Sequence, residues 1–452
     1  MAKLQFLGAA ETVTGSKYLL KTFNRKILID CGLFQGEKEL REQNWAPFPA
    51  DVTTLDAVVL THAHIDHSGY IPRLVAQGFR GPIYATRATV DLAEILLKDS
   101  GRLQEEDANL ANLYDFSKHK PALPLYTEKD AMQALTQFKT IDYGTQYQLG
   151  DELSFHASRA GHILGSAIIT FNVDSEVVVF SGDLGRPEDL IMKKPAEIQV
   201  ADVLVLESTY GNKKHTKEDP IQKLGAIIRK TAKQGGTVLI PSFAVGRTQT
   251  ILYILYLLRK EGAIPDIPIY LDSPMAQDAT DILLKHLSEH KLSRETAAEV
   301  CKIAEYVQTS DRSKQLNFNT KPKIIISASG MAEGGRVLHH IKYHGPKPEN
   351  TIVFVGFQAP MTRGEKILDG AKEVKIHGEM IPIRARVEYV DSLSSHADYE
   401  EILGWLKKFV KAPKLVFLTH GDIESALALK ARIEDAFGWN VVIPKHLQEF
   451  TI

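Results

Sequence analysis

The sequence predicts an α/β protein in which one α/β domain is inserted into another. Short apolar runs rich in β-branched residues and bounded by Gly, Asp or Ser are typical of buried strands. Five such runs, found from residue 26 to residue 418, each lead into a residue capable of chemistry. The stretch from about 209 to 370 instead alternates helical and strand patterns and contains no cluster of metal-binding residues. The chain therefore leaves its first domain, forms a second one and then returns.

The five strands of the first domain indicate where its functional residues gather. The runs, each with the candidate residue at or shortly after its end, are 26–29 with Asp30, 57–60 with His62, 177–180 with Asp183, 203–206 with Glu207, and 415–418 with His420. In α/β sheets, ligands bind in the crevice beyond the strand ends. We therefore expect these residues, although far apart in the sequence, to form one site.

The inserted domain shows a parallel α/β pattern. Helical spacing over 221–232 and the strongly apolar run 251–258 predict helices. The predicted strands are 238–240, 269–271, 324–326 and 352–355. We expect the first domain to cover 1–208, the insert 209–372, and the returning segment of the first domain 373–452.

Composition limits the possible functions. The 452 residues carry a net charge of −2, so the protein as a whole does not attract nucleic acid electrostatically. The two cysteines, Cys31 and Cys301, argue against a disulfide framework and favour a reducing, cytoplasmic location. Metal ligands are then expected from His and carboxylates. We also expect no signal peptide and no membrane association, because the N-terminal segment lacks an apolar core and the best apolar run is too short to cross a bilayer.

The run His62-Ala63-His64-Ile65-Asp66-His67 is the strongest functional signal. If it stays extended, alternation separates His67 from the other three ligands, whereas a turn could share all four between two cations. The expected sets are His62, His64 and His162 for one cation, Asp66, His67 and His420 for the other, and Asp183 as a bridge. Two cations would trap a shared hydroxide, lower its pKa and neutralise a phosphate. The metals, not the surface, would then attract a polyanion. The less specific alternative is a solvated polar loop.

Three more residues are candidates for catalysis. Asp30 either orients a ligand imidazole or simply forms a turn before Gly32. His396 is surplus to the metal ligands and could act as a general acid that protonates a leaving alkoxide. Glu207 could orient His396 and keep it protonated. Alternatively, His396 begins the following helix or faces solvent.

Two loops in the insert suggest contacts with a phosphate backbone. Ser327 and Gly330 follow a predicted strand and precede a predicted helix that contains Arg336, and a helix N-terminus after a Gly-rich turn favours anions. Arg247 follows a similar loop, and Ser395 lies next to His396. Many α/β loops are rich in Gly for steric reasons alone, so these five candidate RNA contacts are weaker than the metal ligands.

Together these motifs resemble a known family. The His62–His67 run, with His162 and Asp183, is similar to the metallo-β-lactamase superfamily. Glu207, His396 and His420 resemble the three extra motifs of its β-CASP branch, whose members process nucleic acids. Over almost its whole length the chain resembles prokaryotic relatives of the catalytic nuclease subunit of the messenger-RNA 3′-end cleavage complex, and more distantly ribonuclease J.

The resemblance implies an αββα sandwich with an inserted α/β β-CASP domain as a lid, and the same grouping of ligands around two Zn²⁺ ions. It implies a first-motif role for Asp30 and an acidic partner of His396 in Glu207. His420 is the signature of RNA-directed members, since DNA-directed relatives usually carry Val there. The KH domains and C-terminal extensions of larger relatives are expected to be missing.

The sequence therefore predicts a zinc-dependent ribonuclease of single-stranded RNA, acting as an endonuclease, a 5′→3′ exonuclease or both, as a monomer or homodimer. Mn²⁺ could replace zinc at the carboxylates. Three alternatives remain open. A small-molecule hydrolase acting on a thioester or lactone would need neither the insert nor the Glu207–His396 pair. A non-catalytic RNA-processing scaffold would usually lack several ligands. DNA hydrolysis is disfavoured by His420.

Overall fold

The computed structural model describes residues 2–115, 117–356, 358 and 361–452, and the chain divides into two compact units. Unit 1 comprises Met1–Lys214 and His396–Ile452, and unit 2 comprises His215–Ser395. The predicted boundaries, 208/209 and 372/373, differ from these changeovers. The second differs most, because a late strand, Arg386–Val390, pairs within the sheet of unit 2.

The strands and helices of both units are as follows. The strands in chain order are β1 (Lys3–Phe6), β2 (Tyr18–Lys21), β3 (Lys26–Ile29), β4 (Ala57–Val59), β5 (Ile83–Thr86), β6 (Phe138–Ile141), β7 (Tyr147–Gly150), β8 (Leu153–Arg159), β9 (Ala167–Val173), β10 (Glu176–Phe180), β11 (Val203–Glu207), β12 (Thr237–Pro241), β13 (Ile269–Asp272), β14 (Glu305–Tyr306), β15 (Lys323–Ser327), β16 (Thr351–Val355), β17 (Glu373–Ile376), β18 (Glu379–Pro382), β19 (Arg386–Val390), β20 (Leu415–Thr419), β21 (Val441–Val442) and β22 (Glu449–Thr451). The helices are α1 (Lys38–Gln43), α2 (Ile65–Ser68), α3 (Ile71–Ala76), α4 (Arg87–Leu113), α5 (Glu128–Leu135), α6 (Pro220–Lys233), α7 (Arg247–Lys260), α8 (Pro274–Lys285), α9 (Arg294–Lys302), α10 (Ser310–Phe318), α11 (Arg336–His344), α12 (Arg363–Leu368), α13 (Tyr399–Leu406) and α14 (Ile423–Phe437). Short 3-10 turns lie at Val52–Thr54, Leu287–Glu289 and Asp391–Leu393.

Unit 1 is built on two sheets that pack face to face. The first has the strand order β22-β1-β2-β3-β4-β5-β6, and the second β21-β20-β11-β10-β9-β8-β7. Strand β11 shows why both faces of the second sheet are buried. Its alternate residues Val203 and Val205 join the core between the sheets, whereas Leu204 and Leu206 pack with α13 and α14 on the outer face. On the other side, α4 packs against β5 and β6. The predicted αββα sandwich is therefore confirmed.

Unit 2 is a six-stranded parallel sheet of order β14-β13-β15-β12-β16-β19, flanked by helices, with a separate β17–β18 hairpin. Its central strands β12, β15 and β16 are buried throughout. A parallel sheet with both faces covered reads as continuous apolar runs, which is why these strands could be predicted from the sequence.

The five strands predicted to lead into functional residues are all present in unit 1. Strands β3 and β4 are parallel neighbours, and so are β10, β11 and β20. Because parallel strands end at the same edge of a sheet, the residues that follow them converge there. In the register between β11 and β20, Glu207 pairs with Thr419, so His420 lies one residue beyond Glu207 at the same edge.

Candidate metal centre

The His62–His67 segment follows β4 and turns into a short helix at Ile65. His64 is the N-cap of α2, so Asp66 and His67 lie within the helix and His62 and His64 before it. This is the turn, rather than the fully extended alternative, that the sequence left open. It separates the four ligand candidates into two pairs that face different neighbours.

The first pair meets His162 and Asp183. The Nε2 atom of His62 lies 3.1 Å from His64 Nδ1, and His162 Nε2 lies 3.2 Å from the same atom. Asp183 Oδ2 is 3.4 Å from both Nε2 atoms. His162 reaches this position from the turn between β8 and β9, where Gly161 has a φ of +74° and a Cβ would lie 2.5 Å from the Lys193 carbonyl oxygen. Only glycine fits there without strain.

The second pair meets His420 and the other oxygen of Asp183. His420 Nε2 lies 3.2 Å from Asp66 Oδ2, and His67 Nε2 lies 3.1 Å from Asp183 Oδ1. The carboxylate of Asp183 thus presents one oxygen to each group. The structure brings together all seven predicted ligands in the two predicted sets.

The donor geometry fits metal ions. Four ligands around one zinc at bond lengths of about 2.0–2.1 Å lie roughly 3.3 Å apart if the arrangement is tetrahedral. The four separations in the first set, from 3.1 to 3.4 Å, match that spacing. In addition, Asp183 Oδ1 is buried and accepts no hydrogen bond from any described residue. A buried carboxylate oxygen without a donor is costly unless a cation compensates for it.

The protonation states of the three histidines in the first set also suit metal binding. Burial, and then the neighbouring imidazoles, lower the pKa of His64 to about 3. Burial likewise lowers the pKa values of His62 and His162, so all three rings are neutral and can offer lone pairs. Burial alone would raise the pKa values of Asp66 and Asp183, but the surrounding histidines outweigh it and keep both carboxylates ionised.

Asp30 lies behind the centre and orients two of its imidazoles. Its Oδ2 accepts hydrogen bonds from His67 Nδ1 at 2.7 Å and from the Thr61 hydroxyl at 2.8 Å. The Thr61 hydroxyl in turn lies 3.1 Å from His62 Nδ1. Since the Thr61 proton is directed to Asp30, the hydroxyl oxygen accepts from His62. Both rings therefore carry Nδ1–H and turn Nε2 towards the centre. Thr61 was not among the residues singled out from the sequence.

His396 and Glu207 form a pair at the edge of the centre. His396 Nδ1 donates to Glu207 Oε2 at 3.0 Å, and its Nε2 lies 3.9 Å from Asp183 Oδ2. Burial would lower the pKa of His396, but the charges of Glu207 and Asp183 outweigh it and raise that pKa to about 9. Glu207 Oε1 also accepts from the backbone N–H of Leu184 at 2.5 Å. Glu207 thus connects His396 with the loop that carries Asp183.

Arg186 helps to hold the loop of His396 and was missed by the sequence analysis. Its Nε lies 3.2 and 3.3 Å from the two carboxylate oxygens of Glu401. Next to this ion pair, Gly185 forms an antiparallel bridge with His396, and the Ala397 N–H donates to the Leu184 carbonyl at 2.8 Å. The segment that follows Asp183 is therefore fastened to the segment that carries His396 by backbone and ionic contacts.

Two of the five predicted RNA contacts have structural roles in unit 2. Ser327 is fully buried and donates its hydroxyl to the carbonyl of Asp272. Arg336 binds the buried Asp272 carboxylate at 2.6 Å and the carbonyl oxygens of Val307 and Gln308. The polar atoms of both side chains are thus engaged inside the unit, and a contact of either residue with RNA stays a prediction.

The other three predicted RNA contacts lie in different surroundings. Gly330 accommodates the ring of Phe243, which a Cβ would approach to 2.8 Å. Phe243 is itself 37% exposed. Arg247 begins α7 and is partly exposed, as is Ser395 at the end of unit 2. These residues remain candidates.

Three family models match successive parts of the chain. A metallo-beta-lactamase superfamily domain matches residues 19–205 and a Beta-Casp domain matches 248–367. A Zn-dependent metallo-hydrolase RNA specificity domain matches 380–444. None of the helices in the described part of the chain combines the length and apolar character needed to cross a bilayer.

Similar proteins cover nearly the full chain. Ribonuclease TTHA0252 of Thermus thermophilus is 40% identical over 93% of this chain and 94% of its own length. An RNase J-like protein of Methanocaldococcus jannaschii is 30% identical over 96% of each chain. Transcription termination factor FttA of Pyrococcus abyssi is 32% identical over 98% of this chain and 70% of the longer relative.

A solved structure supports the fold independently. A protein of unknown function from Enterococcus faecalis aligns over all of both chains with a TM-score of 0.56 and 12% identity, which is evidence for the fold alone. The 40% identity over nearly complete chains and the three successive domain matches leave no doubt about the relationship. This chain belongs to the metallo-β-lactamase superfamily, in the β-CASP family of metal-dependent hydrolases.

Proposed function

We propose that this protein is a zinc-dependent ribonuclease that hydrolyses phosphodiester bonds of single-stranded RNA. The observation that carries the proposal is the His396–Glu207 pair, which lies directly beside a donor set for two metal ions. A proton donor next to paired cations suits phosphodiester hydrolysis, because the cations can activate water and the acid can protonate the leaving oxygen. The match to an RNA specificity domain and the similarity to a named ribonuclease support RNA as the substrate.

The donor set favours zinc. Five imidazoles and two carboxylates are offered in two groups, and imidazole-rich sites suit zinc better than manganese, which prefers oxygen ligands. When bound, the two ions would supply an activated water nucleophile and neutralise charge on the phosphate. His62, His64 and His162 would hold one ion and Asp66, His67 and His420 the other, with Asp183 shared.

The protein's own residues then complete the reaction. His396, held by Glu207 through Nδ1, keeps a proton on Nε2 and faces the centre. Attack on phosphorus breaks the bond to the 3′ oxygen, and His396 donates its proton to that oxygen as it leaves. The products are a 3′-hydroxyl and a 5′-phosphate. Asp30 keeps His67 oriented throughout. Arg247, Gly330 and Ser395 are proposed to contact the RNA chain.

A cleavage time course tests this proposal. One single-stranded RNA and its matched DNA would be supplied with 5′-monophosphate and 5′-hydroxyl ends and a 3′ label. We expect RNA cleavage that a chelator abolishes. Cleavage restricted to 5′-monophosphate RNA would indicate attack from the end, and cleavage of both RNAs would indicate internal cuts. Hydrolysis of a thioester or lactone without any RNA cleavage would contradict the proposal and favour a small-molecule hydrolase.

A further inference from the structure

Thr209 makes two hydrogen bonds to a single residue of the metal centre. Its hydroxyl lies 3.0 Å from the carbonyl oxygen of His420 and 3.0 Å from His420 Nδ1. Both residues are 4% exposed, so water cannot easily replace either bond. The carbonyl can only accept, and a hydroxyl has only one proton to give. The hydroxyl oxygen must therefore accept from Nδ1–H of His420.

The backbone conformation of His420 makes these two hydrogen bonds more important. His420 has a φ of +49°, a left-handed conformation that is costly for a residue with a side chain. The bond from the Thr209 hydroxyl to the carbonyl helps to hold the backbone in that conformation, together with the Ser208 N–H, which donates to the same carbonyl at 3.3 Å. The second bond of Thr209 then fixes the ring, so one side chain acts on both the backbone and the imidazole of a candidate metal ligand.

We infer that Thr209 is a positioning residue that selects the Nδ1–H tautomer of His420 and thereby keeps the second metal position available. The alternative tautomer, with the proton on Nε2, would also find a hydrogen-bond acceptor. A proton on Nε2 would point at Asp66 Oδ2, only 3.2 Å away. In that form the hydrogen bond would occupy a lone pair of the Asp66 oxygen. Nε2 would carry the proton and would have no lone pair to offer a metal ion.

Two other ligand imidazoles depend on the Asp30 carboxylate, either directly or through a hydroxyl. His67 is oriented directly by the Asp30 carboxylate, and His62 is oriented through Thr61, whose proton is held by the same carboxylate. For Nδ1 of His420, the other nearby acceptor is Asp183 Oδ1 at 3.5 Å, and that oxygen faces His67 Nε2 at 3.1 Å. Loss of the Thr209 hydroxyl should therefore weaken the second ion selectively.

Zinc binding to three proteins tests the inference: the wild type, Thr209→Val and Thr209→Ser. Valine keeps the shape of threonine without a hydrogen-bonding group, and serine restores the hydroxyl. Zinc per chain would be measured across a series of chelator-buffered free zinc concentrations. We expect Thr209→Val to bind its second zinc about 10- to 100-fold more weakly with the first unchanged. Thr209→Ser should stay close to the wild type.

Two outcomes would overturn the inference. The first is a Thr209→Val protein with wild-type affinity for both ions. The second is a Thr209→Ser protein as weak as Thr209→Val, since the methyl group rather than the hydroxyl would then matter. The inference rests on the two-ion centre of the proposed function but not on its substrate. Zinc binding can follow this pattern even if RNA is not cleaved, so the two failures are distinguishable.

Discussion

At the scale of single residues, the chemistry depends on which nitrogen of each imidazole carries the proton. In His62, His67 and His420, Nδ1 donates to an oxygen behind the centre, so Nε2 faces forward. His396 follows the same rule, with Glu207 behind it. The difference is what lies in front of Nε2. The first three would face a metal ion, whereas His396 lies at the edge, where a proton can be kept and given away.

Replacing His396 separates its role from metal binding. His396→Ala should bind two zinc ions per chain but lose at least about 100-fold in RNA cleavage, because general acid catalysis typically contributes that much or more. Zinc content and single-turnover cleavage would be measured on the same preparation. A substrate with sulfur in place of the bridging 3′ oxygen should be cleaved almost normally, since a thiolate leaves without a proton. Unchanged cleavage of ordinary RNA would contradict the role as an acid.

The residues that could be predicted from the sequence are those that carry a local pattern. His62 and His67 belong to one short run, and His420 gains weight from that run. Thr209 carries no such signal, because its partner is 211 positions away and a single threonine is unremarkable in any sequence. The partner of Arg336 could not be predicted for a related reason. The pairing of Arg336 with the buried Asp272 is a tertiary contact that the local sequence does not record.

At the scale of elements, the geometry of the site depends on two loops that are fastened together. The loop after β10 carries Asp183, and the segment before α13 carries His396. A Gly185–His396 bridge joins them, and the Arg186–Glu401 ion pair closes the junction with side chains that are 18% and 16% exposed. A partly buried contact of this kind, in which Nε faces both carboxylate oxygens, restricts movement more than an exposed pair does.

Loosening this junction should slow the reaction without removing metal. Arg186→Met is expected to reduce kcat about 10- to 100-fold, because small displacements of a catalytic group have effects of that size. KM and zinc content should stay near wild-type values. A suitable control is Arg102→Met, which breaks exposed ion pairs with Asp99 and Glu106 on α4. Equal losses in both variants, or loss of zinc in Arg186→Met, would contradict the positioning role.

Most elements could be predicted because they bury continuous apolar runs. The insert boundary shows the limit of that signal. Strand β19 is an edge strand whose sequence alternates polar and apolar residues, and four of its five residues are only partly buried. An edge strand carries little of the apolar signal that identifies central strands. Its parallel pairing with β16 was therefore not predicted, and the structure keeps it in unit 2.

At the scale of the whole molecule, unit 1 buries a lysine at a measurable cost. Lys17 is 3% exposed, its Nζ lies 4.3 Å from the Phe34 ring and 5.1 Å from the Tyr70 ring, and it donates to the Gly15 carbonyl at 3.4 Å. Burial lowers the pKa of Lys17 from 10.5 to about 8. Between pH 8 and 10.5 the unfolded chain therefore binds more protons than the folded one, and stability rises with pH in that window.

Lys17→Met should therefore stabilise unit 1 most below pH 8. A shift of this size corresponds to roughly 3 kcal/mol, and loss of the cation–π contacts removes about 1 kcal/mol. The gain should shrink as pH rises towards 10.5. All three tryptophans, Trp45, Trp405 and Trp439, lie in unit 1, so urea unfolding followed by their fluorescence reports on this unit. Lys139 is exposed, so Lys139→Met serves as a control for removing a lysine charge without changing a buried group. A constant gain across the pH range would contradict the account.

The central claim is that seven residues of unit 1 hold two metal ions that RNA cleavage requires. The most direct test is a zinc titration of metal-free protein, with zinc per chain and RNA cleavage rate measured at every step. We predict that activity appears with the second ion and is maximal at two zinc per chain, and that Asp183→Asn binds less zinc and stays inactive. Full cleavage by the metal-free protein, or an activity unrelated to the zinc content, would contradict the account.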